Sequence, residues 1–115
     1  MNILSFDVGG TTIKAGLVNK DLEIQEKFTK DTPKNEESFI SLIEEIHKVR
    51  TDKCDNVSFG MPGFVDRDNY VFKYGTNMKF SIDFKKLEFF NEKKIYIEND
   101  GNLAAYSEFV LNLSD

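Results

Sequence analysis

The sequence predicts an α/β fold in which a mixed sheet opens with three antiparallel strands and helices pack on it. Apolar and polar residues alternate in three early segments, 3–8, 13–18 and 24–28, which is typical of half-buried strands joined by short turns. Over 35–49 the apolar period changes to three and four residues, which indicates an amphipathic helix. A strand that follows a helical crossover pairs in parallel, so we expect a parallel strand after this helix, then an insertion, another strand and a helix.

The individual elements follow from local signals. The turn between the second and third strands is predicted at 19–21. The first helix is expected to run for about 14 residues after Pro33, with Asn35 or Ser38 as its cap. Its apolar positions are Phe39, Leu42, Ile43, Ile46 and Val49. Short strands are predicted at 55–60, 70–74 and 95–98, and a closing helix at 102–113 has the apolar residues Leu103, Tyr106, Phe109, Val110 and Leu113.

The composition is that of one globular core. The 115 residues are 40% hydrophobic and 30% charged, which excludes a disordered chain. The net charge is −5 and the lysines are scattered among carboxylates, so nucleic acid is not an expected partner. No segment approaches the ~20 apolar residues that span a bilayer, and the first strand begins too close to Met1 for a signal peptide. We therefore expect a cytoplasmic protein with no membrane partner.

Two side chains of metal-binding type have ordinary explanations. Cys54 is the only cysteine, so it can form neither an internal disulfide nor a cysteine cluster, and we interpret it as structural. His47 is the only histidine and lies beside Glu44 and Glu45, so we expect it to be exposed on the helix. No protein-bound metal centre is predicted.

The turn between the first two strands indicates phosphate chemistry. Its two adjacent glycines remove the Cβ atoms that would keep backbone N–H groups away from an anion, and they permit the positive φ angles of a tight turn. Two threonines add hydroxyl donors, a lysine adds an ammonium, and an aspartate supplies an oxygen ligand for the Mg²⁺ that accompanies ATP. The candidate residues are Asp7, Gly9, Gly10, Thr11, Thr12 and Lys14. The alternative is a glycine hairpin that only turns the chain.

These residues resemble the first phosphate motif, Asp-x-Gly-Gly-Thr-x-x-Lys, of the ROK sugar kinases, a branch of the actin, hexokinase and heat-shock ATPase superfamily. The segment is neither a P-loop, which needs Gly-Lys-Ser/Thr, nor a Rossmann fingerprint. The order of the predicted elements is similar to the ribonuclease H-like, actin-like ATPase half-domain of that superfamily. The resemblance implies ATP and Mg²⁺ as cofactors and a sugar as substrate.

Two later loops resemble sugar-binding segments of the same family. Residues 60–66 match Gly-x-Pro-Gly-x-Val-Asp, which implies that Gly63 presses its backbone against the sugar. Residues 74–78 match a segment in which an asparagine binds a sugar hydroxyl, and here that residue is Asn77. A rigid turn at Gly63 and a surface turn at Asn77 remain the alternatives.

Residues 98–102 carry the second strong motif, which resembles the Asn-Asp-x-Asn segment of ROK kinases. The resemblance implies that Asp100 is the catalytic base, accepting the hydroxyl proton as the oxygen attacks the γ-phosphate, and that Asn99 holds the sugar. The alternative is that these side chains cap the last helix. We favour catalysis for Asp100 because two ROK motifs occur in the expected order.

The resemblance covers only the front of the family pattern. We therefore expect residues 1–115 to form an N-terminal ROK sugar-kinase domain whose C-terminal kinase domain is absent, with little or no activity alone. The exposed edge would favour a homodimer. Two other functions stay open, a ROK-type sugar-sensing regulator without its DNA-binding part and an actin-like ATPase switch. The regulator is less favoured because only six residues precede Asp7. The identity of the sugar is not readable.

Overall fold

The computed structural model describes residues 2–21 and 23–99. In chain order the elements are β1 (Ile3–Val8), β2 (Thr12–Val18), β3 (Ile24–Asp31), α1 (Glu36–Lys48), β4 (Asn56–Met61), β5 (Phe64–Asp66), β6 (Val71–Tyr74), β7 (Ile82–Asp83), a 3-10 turn (Phe84–Lys86) and β8 (Lys94–Asn99). The closing helix predicted at 102–113 lies outside the described residues.

Five of the strands form one mixed sheet in the order β3-β2-β1-β4-β8. The first three strands pair antiparallel, and β4 pairs parallel with both β1 and β8. This is the predicted α/β arrangement, and the mixed sheet with an antiparallel opening is confirmed. Parallel pairing is possible here because α1 carries the chain from one end of the sheet back to the other.

One face of this sheet packs with α1 in a single apolar core. Alternate residues of β1 are almost fully buried, as the pleat of a strand requires. The Phe6 and Phe59 rings stack at 5.0 Å, and the Phe84 ring lies 4.7 Å from that of Phe59. Phe39 of the helix meets Phe84 edge-on at 6.1 Å. Burial of such side chains, worth roughly 1.5–3 kcal/mol each, is what attaches the helix to the sheet.

The start of α1 agrees with its predicted signals, and its end differs. Asn35 is the cap, because its side-chain oxygen accepts a hydrogen bond of 2.8 Å from the Ser38 N–H. The helix ends at Lys48, so Val49 is its C-cap and is 68% exposed rather than part of the apolar side. In the part of the chain that the structure describes, no helix is long and apolar enough to cross a membrane.

The prediction that His47 is exposed is wrong. Its side chain is 4% exposed and its ring stacks on that of Phe89 at 3.8 Å. Phe89, in the segment after β7, covers His47, and the residue spacing along α1 alone could not predict this contact. Burial, assisted by the nearby Lys93 charge, lowers the pKa of His47 below its ordinary value.

A smaller antiparallel sheet, in the order β5-β6-β7, lies between β4 and β8 in the chain. Of its strands only β6 was predicted, and it begins at Val71 because Tyr70 adopts a positive φ of 56° in the preceding turn. The other two strands have three and two residues, too few to show an alternating pattern. Phe72 and Ile82 anchor the small sheet in the main core.

Candidate active site

Three parallel strands end side by side at the carboxyl edge of the main sheet. Asp7 of β1 is level with Gly60 of β4, and Gly60 is level with Glu98 of β8. A Cβ atom placed on Gly60 would lie 4.0 Å from Asp7 Oδ1, so the carboxylate reaches over this glycine. At a strand spacing of about 4.8 Å, β1 and β8 are about 10 Å apart. The turn after β1 and the last residues of β8 therefore lie at the same edge of the sheet, where open α/β sheets bind ligands.

The turn after β1 is tight, but its glycines are not in the conformation that we predicted. The Gly9 N–H donates a hydrogen bond of 2.9 Å to the Thr12 carbonyl and closes the turn. Neither Gly9 nor Gly10 has a positive φ, so that expectation is wrong. The reason for glycine is space: a Cβ on Gly10 would lie 2.5 Å from the Asn77 carbonyl oxygen and 2.6 Å from the Asn77 Cβ. Only a residue without a side chain allows this approach.

Asn77 therefore brings the second predicted cluster against the first. It lies in the loop after β6, where the Gly75 N–H donates a bond of 3.0 Å to the Met78 carbonyl. Met78 is 2% exposed and fixes the loop to the core, while Asn77 itself is exposed. A candidate sugar-binding residue thus contacts the candidate phosphate turn directly.

The loops that contain Gly63 and Gly75 cross in backbone-to-backbone contact. A Cβ on Gly63 would lie 2.2 Å from the Tyr74 carbonyl oxygen, and one on Gly75 would lie 2.0 Å from the Pro62 oxygen. Both positions require glycine for packing, whatever else they bind. The Asn99 side-chain amide donates a hydrogen bond to the Gly63 carbonyl, so two of the predicted sugar residues are in contact.

The remaining predicted phosphate residues line the same turn. Lys14 is directly opposite Asp7 in the β1–β2 register, so the two side chains are on one face of the sheet. Thr11 and Lys14 are exposed, and Thr12, at the start of β2, is half-buried. Among the described residues no ion pair involves Asp7 or Lys14, so both side chains are available to bind a charged ligand.

Sequence reasoning missed Thr32, a residue after β3 that hydrogen-bonds this turn. It is 4% exposed, its hydroxyl donates a 2.7 Å bond to the Gly9 carbonyl, and its N–H donates a 2.9 Å bond to the Thr11 carbonyl. No motif contains it. The one available signal was its position, a polar residue just before Pro33 at the end of an alternating strand.

An open groove borders Asn99 on the side of the small sheet. Its lining residues are Phe64, Val65, Asp66, Arg67, Asp68, Lys73 and Asn99. Arg67 forms an ion pair with Glu98, the residue before Asn99. Hydrogen bonds from the Asn69 side chain and backbone lower the pKa of Asp66. Arg67, Asp68 and Lys73 are exposed, as expected at the rim of a site.

Asp100, the predicted base, lies outside the described residues. Its neighbour Asn99, the last residue of β8, is at the carboxyl edge together with Asp7 and the phosphate turn.

The sequence model of the ROK family matches residues 3–115. The chain belongs to the ROK family. It is 30% identical to a glucokinase of Thermotoga maritima, over 94% of this chain and 36% of that protein. It is also 30% identical to an N-acetyl-D-glucosamine kinase of Histophilus somni, over 90% of this chain and 36% of that protein. The chain thus spans little more than a third of the length of these curated relatives.

The ROK fold is recognisable in solved structures as well. A ROK family glucokinase from Streptomyces griseus, in complex with glucose and AMPPNP, superposes with a TM-score of 0.78 at 25% identity, over 96% of this chain and 37% of that one. The predicted ROK resemblance and actin-like fold are confirmed by these matches. The roles of individual site residues stay predictions.

Proposed function

We propose that the protein phosphorylates a hydroxyl group of a hexose-type sugar with ATP, and that this chain supplies the first phosphate turn, the sugar loops and the base. The contact between Gly10 and Asn77 carries the proposal, because it places a turn suited to phosphate beside a loop suited to sugar. The relatives support it: they are kinases of glucose and of N-acetylglucosamine, and the S. griseus enzyme holds glucose and AMPPNP together.

The residues of the phosphate turn fit a Mg²⁺–nucleotide complex. Asp7 has its carboxylate at the strand end with no cation paired to it among the described residues, so it suits a divalent cation with oxygen ligands. Such an ion neutralises charge on the β- and γ-phosphates. Thr11, Thr12 and Lys14 add hydroxyl and ammonium donors for the phosphate oxygens.

The residues on the other side of the site suit the acceptor. The amides of Asn77 and Asn99 can both donate to and accept from a sugar hydroxyl. Asp100 takes the proton from that hydroxyl, the oxygen bonds to the γ-phosphorus, and ADP leaves. General-base help of this kind is worth about 10² to 10⁴ in rate, so in the whole protein Asp100→Asn should lower kcat by that factor and change sugar affinity little.

The domain organisation is also part of the proposal. Kinases that transfer phosphate to small acceptors close over both substrates to exclude water. Since the chain spans 36% of its curated relatives' length, we infer that it corresponds to their first domain and that it has little turnover by itself. Adding the remaining part of the protein should restore sugar-dependent turnover.

The binding half of the proposal can be tested on this chain. In ¹⁵N-labelled protein, AMPPNP with Mg²⁺ should shift the amide signals of residues 9–14, and glucose or N-acetylglucosamine should shift those near 63, 77 and 99. Lys14→Met should weaken AMPPNP binding, whereas Lys27→Met, an exposed lysine on the neighbouring strand, should not. Asn77→Ala should weaken sugar binding, with the exposed Asn91→Ala as its control.

Two results would reject the kinase. ATP hydrolysis that no sugar changes would favour the actin-like switch. Sugar binding without any nucleotide binding, in this chain and in the whole protein, would favour the sugar-sensing regulator.

A further inference from the structure

Thr32, which lies outside every sequence motif, forms hydrogen bonds with the phosphate turn. We propose that Thr32 is a positioning residue that keeps the Gly9 and Thr11 carbonyl groups directed away from the nucleotide and the Gly10 and Thr11 N–H groups directed toward it. This inference rests on the proposed function of the turn.

The geometry of Thr32 is specific to the turn. Its hydroxyl donates to the Gly9 carbonyl at 2.7 Å and its N–H donates to the Thr11 carbonyl at 2.9 Å. Both bonds go to oxygen atoms of the short connection between β1 and β2. The Gly9 N–H is used within the turn, on the Thr12 carbonyl, and the N–H groups of Gly10 and Thr11 are left to other partners.

The electrostatic consequence follows from the charge of the ligand. A carbonyl oxygen carries partial negative charge and repels a phosphate, whereas a backbone N–H attracts it. A glycine-rich turn can rotate its peptide groups easily, so without an anchor it would present either end to the ligand. Fixing two carbonyl groups removes that freedom before the nucleotide arrives, and preorganisation of this kind raises affinity.

The local sequence makes Thr32 a firm anchor. It follows Asp31, the last residue of β3, and its N–H bond to Thr11 continues the β2–β3 ladder by one step. Pro33 restricts the preceding residue to extended conformations, which suits that continuation. Because Thr32 is 4% exposed, water cannot easily replace its hydroxyl.

A second contact fixes the turn at Gly10. The backbone and Cβ of Asn77 pack against Gly10, with no room for a side chain between them. The turn is therefore held between Thr32 and the loop after β6. Of these two contacts, only Thr32 binds the carbonyl groups, so it is the one expected to set the direction of the peptide groups.

The test compares Thr32→Val, which keeps the shape but lacks the hydroxyl, with Thr32→Ser, which keeps the hydroxyl. Thr29→Val, at an exposed position of β3, is the control. Calorimetry with AMPPNP and Mg²⁺ should show about tenfold weaker binding for Thr32→Val, because the Gly9 carbonyl loses a buried partner. Thr32→Ser and Thr29→Val should bind like the unchanged chain, and glucose affinity should stay constant in all of them.

Two further readouts separate this role from a general loss of stability. Urea unfolding gives the folded fraction of each variant, and amide hydrogen exchange of Gly9 reports the turn itself, which should exchange faster only in Thr32→Val. Unchanged AMPPNP affinity in Thr32→Val, or equal losses of AMPPNP and glucose affinity, would overturn the inference. If neither the unchanged chain nor the whole protein binds AMPPNP, the proposed function fails instead, and exchange at Gly9 then decides whether Thr32 holds the turn.

Discussion

The apolar face of the main sheet and its carboxyl edge are built in different ways. On the face, large side chains such as Phe6 and Phe59 fill space between the sheet and α1. At the edge, side chains are absent at the closest contacts, and backbone meets backbone at Gly10, Gly63 and Gly75. The face is therefore sensitive to the loss of atoms, and the edge is sensitive to their addition. Stability should depend mainly on the first region and ligand binding on the second.

The largest effect is expected from truncating the face. Phe59→Ala removes a ring that is 1% exposed and contacts two other aromatic rings, so it should lower the free energy of unfolding by about 3–5 kcal/mol. Phe64→Ala is the matched control, because the Phe64 side chain is 61% exposed, and it should cost far less. Urea denaturation followed by circular dichroism measures both. Equal losses in the two variants would contradict the distinction between face and edge.

A smaller effect is expected from adding one methyl group at the edge. Gly63→Ala puts a Cβ 2.2 Å from a backbone oxygen that cannot move alone, so it should lower the free energy of unfolding by about 1–3 kcal/mol. In Gly60→Ala the nearest atom to the new Cβ would be 3.8 Å away, an ordinary contact.

Urea denaturation of both glycine variants gives the comparison. A loss in Gly60→Ala as large as that in Gly63→Ala would show that chain flexibility, and not close approach, makes these positions glycine.

The two regions also differed in how well the sequence predicted them. Five of the strands and α1 repeat their apolar period over six or more residues, so their existence and type could be predicted. The two shortest strands, β5 and β7, carry no such signal. His47 was misjudged because the Phe89 ring that covers it comes from a distant part of the chain.

At the edge, motifs identified the residues but not their contacts. The sequence places Gly10 and Asn77 in separate segments, and nothing local reports that they touch. Thr32 was missed for a related reason, since a threonine before a proline is common and its partners lie across a strand pair. Chemistry that is concentrated in a short segment can be read from sequence, whereas support from elsewhere in the fold cannot.

The third prediction concerns how the free energy of unfolding changes with pH because of the buried His47. His47 is buried with its pKa lowered, mainly by burial, so the unfolded chain binds the proton more readily than the folded one. The stabilisation that His47 contributes in its neutral form is then fully present above pH 6.5, its ordinary pKa, and decreases as the pH falls below that value. His47→Leu should flatten this part of the profile, measured by urea unfolding between pH 7.5 and pH 5 at about 0.1 M salt. An unchanged slope in His47→Leu would contradict the assignment.

The smallest effect is expected at the exposed link between α1 and the 3-10 turn. A hydrogen bond from Lys86, followed by one from the Asp83 N–H, lowers the pKa of Glu36. The stabilisation that the Glu36 carboxylate contributes is present above pH 4.5, its ordinary pKa. It is lost as the pH falls through the lowered pKa of the folded chain. Because the Lys86 side chain is largely exposed, Lys86→Met should lower the free energy of unfolding only slightly, and less in high salt.

Unfolding at low and high salt checks this last estimate, with the exposed Lys27→Met as control. A cost for Lys86→Met that salt does not reduce would mean that the contact acts through packing and not through charge.

The burial of Cys54 has a practical consequence. It is the only thiol in the chain, it is 2% exposed, and burial raises its pKa, so maleimide reagents should modify it slowly. A Thr76→Cys variant would then carry one reactive thiol, at an exposed position beside Asn77. A fluorophore attached there could follow the arrival of each ligand in real time without removing the native cysteine.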